Sequence, residues 1–359
     1  MSLSIGIVGL PNVGKSTIFN ALTNNSILAA NYPFATIEPN TGIVPVPDKR
    51  LDVLAAMYNT QKIIPATVTF VDIAGLVAGA SKGEGLGNKF LHNIRECDAI
   101  VHIVRAFENS DILRHDNSPI NPQADIDVIN TELILADIQT IEHRLPRLQK
   151  EAKANPKARQ TTTYLETLLT SLNSGIPIAS IENIKYEIIN DLHLLTAKPI
   201  IYAFNIDETE LSDHTLQKKL AQLVAPAQAL FICAKLEEEL RELPSNDAAE
   251  LLSSYGASET GLSQLIHAAY DTLGLQSYLT AGQKEVRAWT IHKGWTAPQA
   301  AGIIHSDFER GFITAQVISY DDLIIAGSET KAREAGKIRT EGKNYIMQPN
   351  DVVEFRFNV

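Results

Sequence analysis

The sequence predicts an α/β domain with a mainly parallel sheet, broken by a helical insertion and followed by a smaller β-rich domain. Three patterns carry this expectation. Five short runs, 4–8, 67–73, 99–105, 199–204 and 229–233, are almost continuously apolar, as strands covered on both faces of a parallel sheet are. Ile134, Ile138, Ile141, Leu145 and Leu148 recur at intervals of four and three, a heptad-like helical seam. Near the end, Val353, Phe355, Phe357 and Val359 alternate with polar residues, which places one strand face in a core up to the last residue. A chain of 359 residues is also too long for one ordinary core.

Taken in order, "SIGIV" (4–8) is a first strand, followed by a loop and the helical stretch "KSTIFNALTN". "TVTFVDI" and "AIVHIVR" are the next two strands. The segment 128–197 is the insertion. Its seam is followed by a turn at "KANPK", a second stripe (Leu165, Leu168, Leu169, Leu172) and a third (Ile184, Ile188, Leu192, Leu195). Pro146 is expected to kink the first helix, because it lacks a backbone donor and crowds the preceding turn. The strands "PIIYAF" and "ALFIC" then resume the sheet. From about 278 onward "EVRAWTI", "FITAQVI" and "VVEFRFNV" are separated by turns containing Gly and Asp. The expected domains are therefore 1–127 with 198–277, the insertion 128–197, and 278–359.

The net charge of −11 means that the surface as a whole does not attract nucleic acid, so any such contact needs a local basic patch. Cys97 and Cys233 read as small buried residues in a reducing compartment, not as a disulfide. No run reaches the about 18 apolar residues a membrane span needs. With a strand starting almost at the first residue, no signal peptide is expected. The expectation is a monomeric cytoplasmic protein.

The loop after the first strand, "GLPNVGKST" (Gly9 to Thr17), fits G-x-x-x-x-G-K-[ST] in strand–loop–helix context. Phosphate binding needs this arrangement. Gly9 and Gly14 let the backbone approach and point N–H groups inward, Lys15 reaches the β- and γ-phosphates, and the Ser16 hydroxyl ligates Mg²⁺, with Asn12, Val13, Gly14 and Thr17 also counted as nucleotide-binding. The bland alternative is a chance Gly-rich turn. Such a loop calls for an acidic partner at a nearby strand end. "FVDIAG" supplies Asp72, to hold a Mg²⁺-bound water, and Gly75, whose N–H meets the γ-phosphate. In "NYPFATIEPN", Thr36 is a candidate Mg²⁺ ligand that lets go after hydrolysis, an order–disorder switch.

Together, "GLPNVGKST", "NYPFATIEPN", "DIAGLVAGASKGEGLGNKFL", the inserted helices, "NIDE" and "EVRAWTI...APQAAGIIHSDFERGFI" closely resemble the YchF, or Obg-like ATPase, family over essentially the whole chain. The resemblance implies an α/β P-loop G-type domain, an inserted α-helical coiled-coil hairpin and a C-terminal β-grasp (TGS) domain. It also implies a preference for ATP over GTP, and association with ribosomes.

The residues bear on the base independently. GTPases of this fold place N-K-x-D where this chain has Asn205-Ile206-Asp207-Glu208. Ile206 removes the lysine stem that covers the base. Glu208 moves the carboxylate by roughly 1.5 Å, more than a paired hydrogen bond tolerates. Asn205 is expected to meet the base edge with its amide, backed by backbone near Ile206, and Phe107 to stack on the base. A guanine site read by Asp207 or a shifted loop is the alternative. "CAKLE" (233–237) occupies the position of a fifth nucleotide loop, or simply ends a strand and starts a helix.

Leu76 stands where Ras-like proteins place the water-orienting Gln, so slow turnover is expected. His115, in "ILRHDNSPINP", is the candidate to replace it; the resemblance implies a loop His there. With Lys15 it completes the candidate catalytic pair. Asn12 is a candidate K⁺ holder. The segment 331–345 gathers Lys331, Arg333, Lys337, Arg339 and Lys343 as a candidate contact for ribosomal RNA; a solvated charged face is the alternative. Two functional classes fit: an ATPase whose turnover is its output, or a nucleotide-gated ribosome-binding module. The missing Gln and the appended domains favour the second. The runner-up chemistry is a conventional translational GTPase.

Overall fold

The computed structural model describes residues 3–24, 40–73, 86–108 and 119–358. In chain order the first elements are β1 (Ser4–Val8), α1 (Lys15–Asn24), β2 (Thr41–Pro45), α2 (Lys49–Tyr58), β3 (Ile63–Ile64), β4 (Thr67–Asp72), α3 (Leu86–Glu96) and β5 (Ala99–Arg105). There follow α4 (Pro122–Glu151), α5 (Pro156–Asn173), α6 (Tyr186–Ile189), β6 (Ile200–Asn205), α7 (His214–Gln222), β7 (Gln228–Ile232), α8 (Ala234–Glu242), α9 (Ser245–Ser254) and α10 (Gly261–Thr272). The chain continues with β8 (Leu275–Ala281), β9 (Val286–His292), α11 (Ala297–Ile304), α12 (Ser306–Arg310) and β10 (Phe312–Ser319). It closes with α13 (Tyr320–Ala326), α14 (Glu329–Glu334), β11 (Arg339–Glu341) and β12 (Asp351–Phe357). Backbone packing divides it into two units, Met1–Ile43 with Thr69–Leu265, and Val44–Val68 with Ile266–Val359.

In the first unit the strand order is β2-β4-β1-β5-β6-β7. The five strands expected from apolar runs form its parallel part: β1 pairs with β4 and β5, and β6 with β5 and β7. All seven residues of β5 are buried, which is why its sequence shows no alternation. Its His102 sits 5.3 Å from the Tyr202 ring, and burial pushes its pKa down to about 3. This histidine is a neutral core residue. Because these strands run the same way, the segments leaving β1, β4, β5, β6 and β7 gather at one edge, where ligands of open α/β sheets bind.

The insertion is anchored in the same unit. α4 runs unbroken through Pro146. It turns in four residues into α5, which Asn155 caps and Pro156 starts. Ile134, Ile141, Leu145 and Leu148 of α4 pack with Leu165, Leu168 and Leu172 of α5, so both expected stripes face one core. The third stripe is not a helix. Residues 178–197 form one short α-turn and three 3₁₀ turns, and His193 takes a left-handed φ of 46° that stops any helix there. Ile184, Ile188 and Leu192 still pack on the hairpin core, which is what the spacing reported. Buried Asp137 of α4 then fastens the chain entering β6, accepting from Leu195 N (2.8 Å), Thr196 N (2.7 Å) and Thr196 Oγ1 (2.7 Å).

The second unit has strand order β11-β10-β12-β8-β9-β3. Its core holds Tyr278, Ile291, Phe312, Val317 and Val353, with Ala297, Ala300 and Ala301 of α11 packed close. This grouping differs from the division expected from sequence, which left 44–68 with the nucleotide-binding residues and opened the last domain at 278. Ile63 and Ile64 of β3 pair with Val286 and Arg287, and Arg50 donates to Pro349 O and Asn350 Oδ1. A two-residue strand has no period to betray it. The expected burial of one β12 face also fades early: Val353 is 6% exposed but Phe357 is 39% exposed. Phe357 stacks on Phe308 of α12, 3.6 Å between centroids, instead of entering the core.

Candidate active site

The loop between β1 and α1 has the backbone that anion binding requires. Asn12 (φ 64°) and Gly14 (φ 90°) are left-handed, which turns neighbouring N–H groups toward a common concavity. Glycine is needed at 14 for a second reason: a Cβ there would collide with Asn205 Nδ2. Gly9 is equally confined, since a Cβ would lie 2.9 Å from both Ile103 O and Val13 Cγ2. Ile18 N donates to Gly14 O at 3.0 Å, so α1 starts directly from the loop and its N-terminal N–H groups face the same place.

A cleft of about 950 Å³ opens there. It is lined by Asn12, Gly14, Lys15, Ser16 and Thr17 from the loop, Asp72 from β4, Phe107 after β5, and Asn205, Ile206 and Glu208 after β6. The residues chosen from four separate motifs thus converge on one wall-to-wall site. Val13 is buried behind it at 2% exposure, its carbonyl accepting from Asn205. Thr36, Gly75 and His115, together with Leu76, lie outside the described residues.

The base end differs from its sequence reading in one respect. Asn205 is 4% exposed, and both ends of its amide are engaged. Nδ2 donates to Val13 O at 2.9 Å and Oδ1 accepts from Ala234 N at 3.0 Å. It therefore clamps the phosphate loop to the start of α8, leaving one N–H and one lone pair for any other partner. Ile206 points into the core with Phe204, Leu220 and Val224, and donates its N–H to Ile232 O. Asp207 caps the 3₁₀ turn Glu208–Glu210, its Oδ1 accepting from Thr209 N and Thr209 Oγ1. Both Glu208 oxygens receive Lys235 Nζ, at 3.3 and 3.1 Å. Phe107 has the Arg105 guanidinium 4.5 Å from its ring centroid.

Lys235 is the site residue that sequence reasoning passed over. "CAKLE" places it in the right loop, yet nothing local distinguishes it from a surface lysine. Cys233 and Ala234 of that loop line the cleft too, so the segment belongs to the site. Burial pushes the Cys233 thiol up.

At the phosphate end Lys15 Nζ is paired with Asp72 Oδ1, and both side chains are largely shielded. Five carboxylates line the cleft (Asp72, Glu108, Asp207, Glu208, Glu238) against two ammonium groups, Lys15 and Lys235. A polyphosphate entering so acidic a cleft needs a cation beside it. The Ser16 hydroxyl and Asp72 carboxylate are the hard oxygen donors that suit Mg²⁺, which takes few protein ligands and shares substrate phosphates.

In the second unit the basic segment 331–345 is less basic than it reads. Arg333 pairs with Glu329 (3.0 Å), Lys337 with Asp322 (2.9 Å), and Arg339 lies 3.7 Å from Glu341 and 3.8 Å from Asp351. Among the described residues, only Lys331 and Lys343 of the five keep no carboxylate within ion-pair distance. No helix of the described residues is long and apolar enough to cross a membrane.

Two family models match. One, described as a 50S ribosome-binding GTPase, covers residues 4–132; the other, YchF-GTPase C, a protein of unknown function, covers 275–358. Proteins of Haemophilus ducreyi and Pasteurella multocida, each called ribosome-binding ATPase YchF, are 52% identical over the full length of both chains. The Bacillus subtilis protein of that name is 49% identical, also over both full lengths. The solved structure of the Schizosaccharomyces pombe YchF GTPase matches with TM-score 0.87 at 37% identity, covering 99% of this chain and 98% of that one. A GTP binding protein from Pyrococcus horikoshii matches with TM-score 0.60 at 19% identity, over 99% of this chain and all of that one, a likeness of fold alone.

Proposed function

The chain belongs to the YchF family, and on that premise we propose that it is a Mg²⁺-dependent ATPase of slow turnover acting as a nucleotide-gated factor on the ribosome. GTP is a second ligand, bound no more tightly than ATP. The observation that carries the adenine preference is the state of two carboxylates. Asp207 has its Oδ1 engaged by its capping turn and Glu208 has both oxygens on Lys235, so neither presents two open oxygens to the paired N1–H and N2–H₂ donors of guanine. A site that hydrogen-bonds its ligand discriminates steeply against one it cannot satisfy. Adenine brings no such paired donors, and Phe107 offers it a ring face. Asn205 acts on the base first by fixing the two loops that flank it, with its remaining N–H and lone pair for the base edge.

The phosphates rest on N–H groups of residues 12–17, and Lys15 leaves Asp72 for the β- and γ-oxygens. Ser16 and Asp72 would hold Mg²⁺, with Thr36 as a further ligand in the triphosphate state. The ion would supply charge neutralisation on the phosphates. Gly75 meets the γ-phosphate, His115 orients the attacking water in place of the Gln that Leu76 replaces, and Asn12 helps hold K⁺. Turnover is slow because positioning and charge, the chief resources of phosphoryl transfer, are only partly supplied by the chain.

The full-length bacterial relatives are named for both ribosome binding and ATPase activity, which supports carrying both to this chain. The hairpin α4–α5 serves as a coiled-coil arm and residues 278–359 as a TGS domain, whose Lys331 and Lys343 are the candidate contacts for RNA. The protein acts as a monomer in the cytoplasm. Co-sedimentation with ribosomes tests the gating: binding in ATP that drops in ADP is expected, and binding indifferent to nucleotide contradicts it. The second reading, a translational GTPase, is favoured by the GTPase descriptions of the yeast structure and of the matching family model.

A further inference from the structure

The turn of the α4–α5 hairpin is the most basic stretch of the chain. Residues 144–159 hold Arg144, Arg147, Lys150, Lys153, Lys157 and Arg159 against one acid, Glu151, a net +5 in a protein of net −11. Two of the six serve the fold: Arg147 pairs with Glu151 at 3.0 Å and Arg144 reaches Asp191 at 3.8 Å. The other four, Lys150, Lys153, Lys157 and Arg159, are exposed, and none has an ion-pair partner among the described residues.

Stability does not explain them. Lys150 and Lys153 sit at the C-terminus of α4, where cations suit the helix dipole, but Lys157 and Arg159 open α5, where the dipole opposes them. The first turn of α5 holds no acid to compensate. The support beneath them is firm: Leu148 and Ala158 are buried, and the Asn155 side chain accepts from Lys157 N at 3.0 Å. Four cations are thus held on a rigid turn and left unneutralised.

We infer that this turn is a docking surface for the phosphate backbone of RNA. The chemistry selects that partner. Between Leu148 and Tyr164 there is no aromatic or large aliphatic side chain, so the turn lacks the anchors on which protein interfaces rely. It also lacks rings on which bases stack, and it has nothing apolar to bury in a bilayer. What it offers is charge, which is what phosphate positioning uses. The inference rests on the ribosome-bound function proposed above and gives it a surface.

The test uses the full chain with Lys150, Lys153, Lys157 and Arg159 all changed to Gln, beside Lys150→Arg/Lys153→Arg/Lys157→Arg, which keeps the charge. ATP binding and thermal melting check that both fold. Affinity is measured against salt for purified ribosomes, for an RNA duplex of about 16 base pairs and for anionic vesicles. The Gln variant should bind ribosomes and duplex about tenfold or more weakly, with the log–log salt slope reduced by about 3, while the Arg variant keeps both. Unchanged affinity and slope overturn the surface and leave the ATPase reading standing. A loss on ribosomes with none on the duplex points to an acidic protein partner, and a loss on vesicles alone to a membrane; either overturns the RNA assignment. If the unaltered protein ignores ribosomes in every nucleotide state, the functional reading fails, and the duplex result still decides the surface.

Discussion

At the scale of single residues, the base end of the cleft is governed by what its polar groups already do. Asn205 joins Val13 O to Ala234 N. Replacing it with Ala strands a buried acceptor and a buried donor, which costs about 1–3 kcal/mol. Asn205→Ala should therefore lower both the unfolding free energy and the affinity for ATP, read by denaturant titration and nucleotide titration of one preparation. Lys235→Ala releases Glu208 without touching the phosphate loop. GTP should then gain on ATP, measured as the ratio of their dissociation constants; an unchanged ratio removes the ion pair from the account of selectivity. Asn205, Ile206 and Glu208 line the cleft, and they stand out in the sequence because they follow a strand in a strand-to-loop pattern. It could not reveal their partners. Val13 lies 192 residues from Asn205, and Lys235 lies 27 residues from Glu208, so those pairings exist only once the sheet has formed.

At the scale of elements, α8 and α10 meet through a buried acid. Glu237, in the first turn of α8, is 5% exposed. Its Oε1 accepts from Gly261 N (2.6 Å) and Leu262 N (3.3 Å) at the start of α10. Burial pushes its pKa up to about 7, against the pull of those two donors. The folded state thus holds this proton more tightly than the unfolded state does. The stabilisation is complete below the unfolded pKa near 4.5 and is lost as pH rises through about 7, by up to about 3 kcal/mol. Glu237→Gln keeps the acceptor and removes the charge. It should melt higher than the unaltered protein at pH 8 and match it near pH 4.5; parallel melting curves at both values would contradict this. Elements themselves were legible wherever burial imposed a period: five parallel strands and two hairpin stripes stand where the apolar pattern put them. The failures have separate causes. Residues 184–195 have helical spacing, but the left-handed backbone at His193 ends any helix there; β2 puts Gly42 at a buried position, so its alternation is not one of apolar residues, and β3, with two residues, is too short to show any period.

In the molecule as a whole, a nucleotide cleft of ordinary phosphate-binding design with an altered base end shares the chain with a basic hairpin turn, the surface proposed for RNA. The slow hydrolysis proposed above fits a protein whose bound state is its output. His115→Ala should lower ATP turnover while leaving ATP affinity within about twofold, a split between rate and binding expected of a group that acts on the attacking water; equal turnover removes His115 from the mechanism. The composition supported this division of labour only in part. A net charge of −11 hides the +5 of residues 144–159, and the basic segment 331–345 is largely matched by Glu341 within it and by Asp322, Glu329 and Asp351 beside it. Charge became readable once pairing was known. The central claim is that a G-type cleft has been turned toward adenine by Ile206, Glu208 and the Lys235 that holds Glu208. It is tested most directly by displacing a fluorescent nucleotide from the purified protein with ATP and with GTP, in Mg²⁺. ATP displacing at equal or lower concentration than GTP is the predicted result, and a strong preference for GTP would contradict the account.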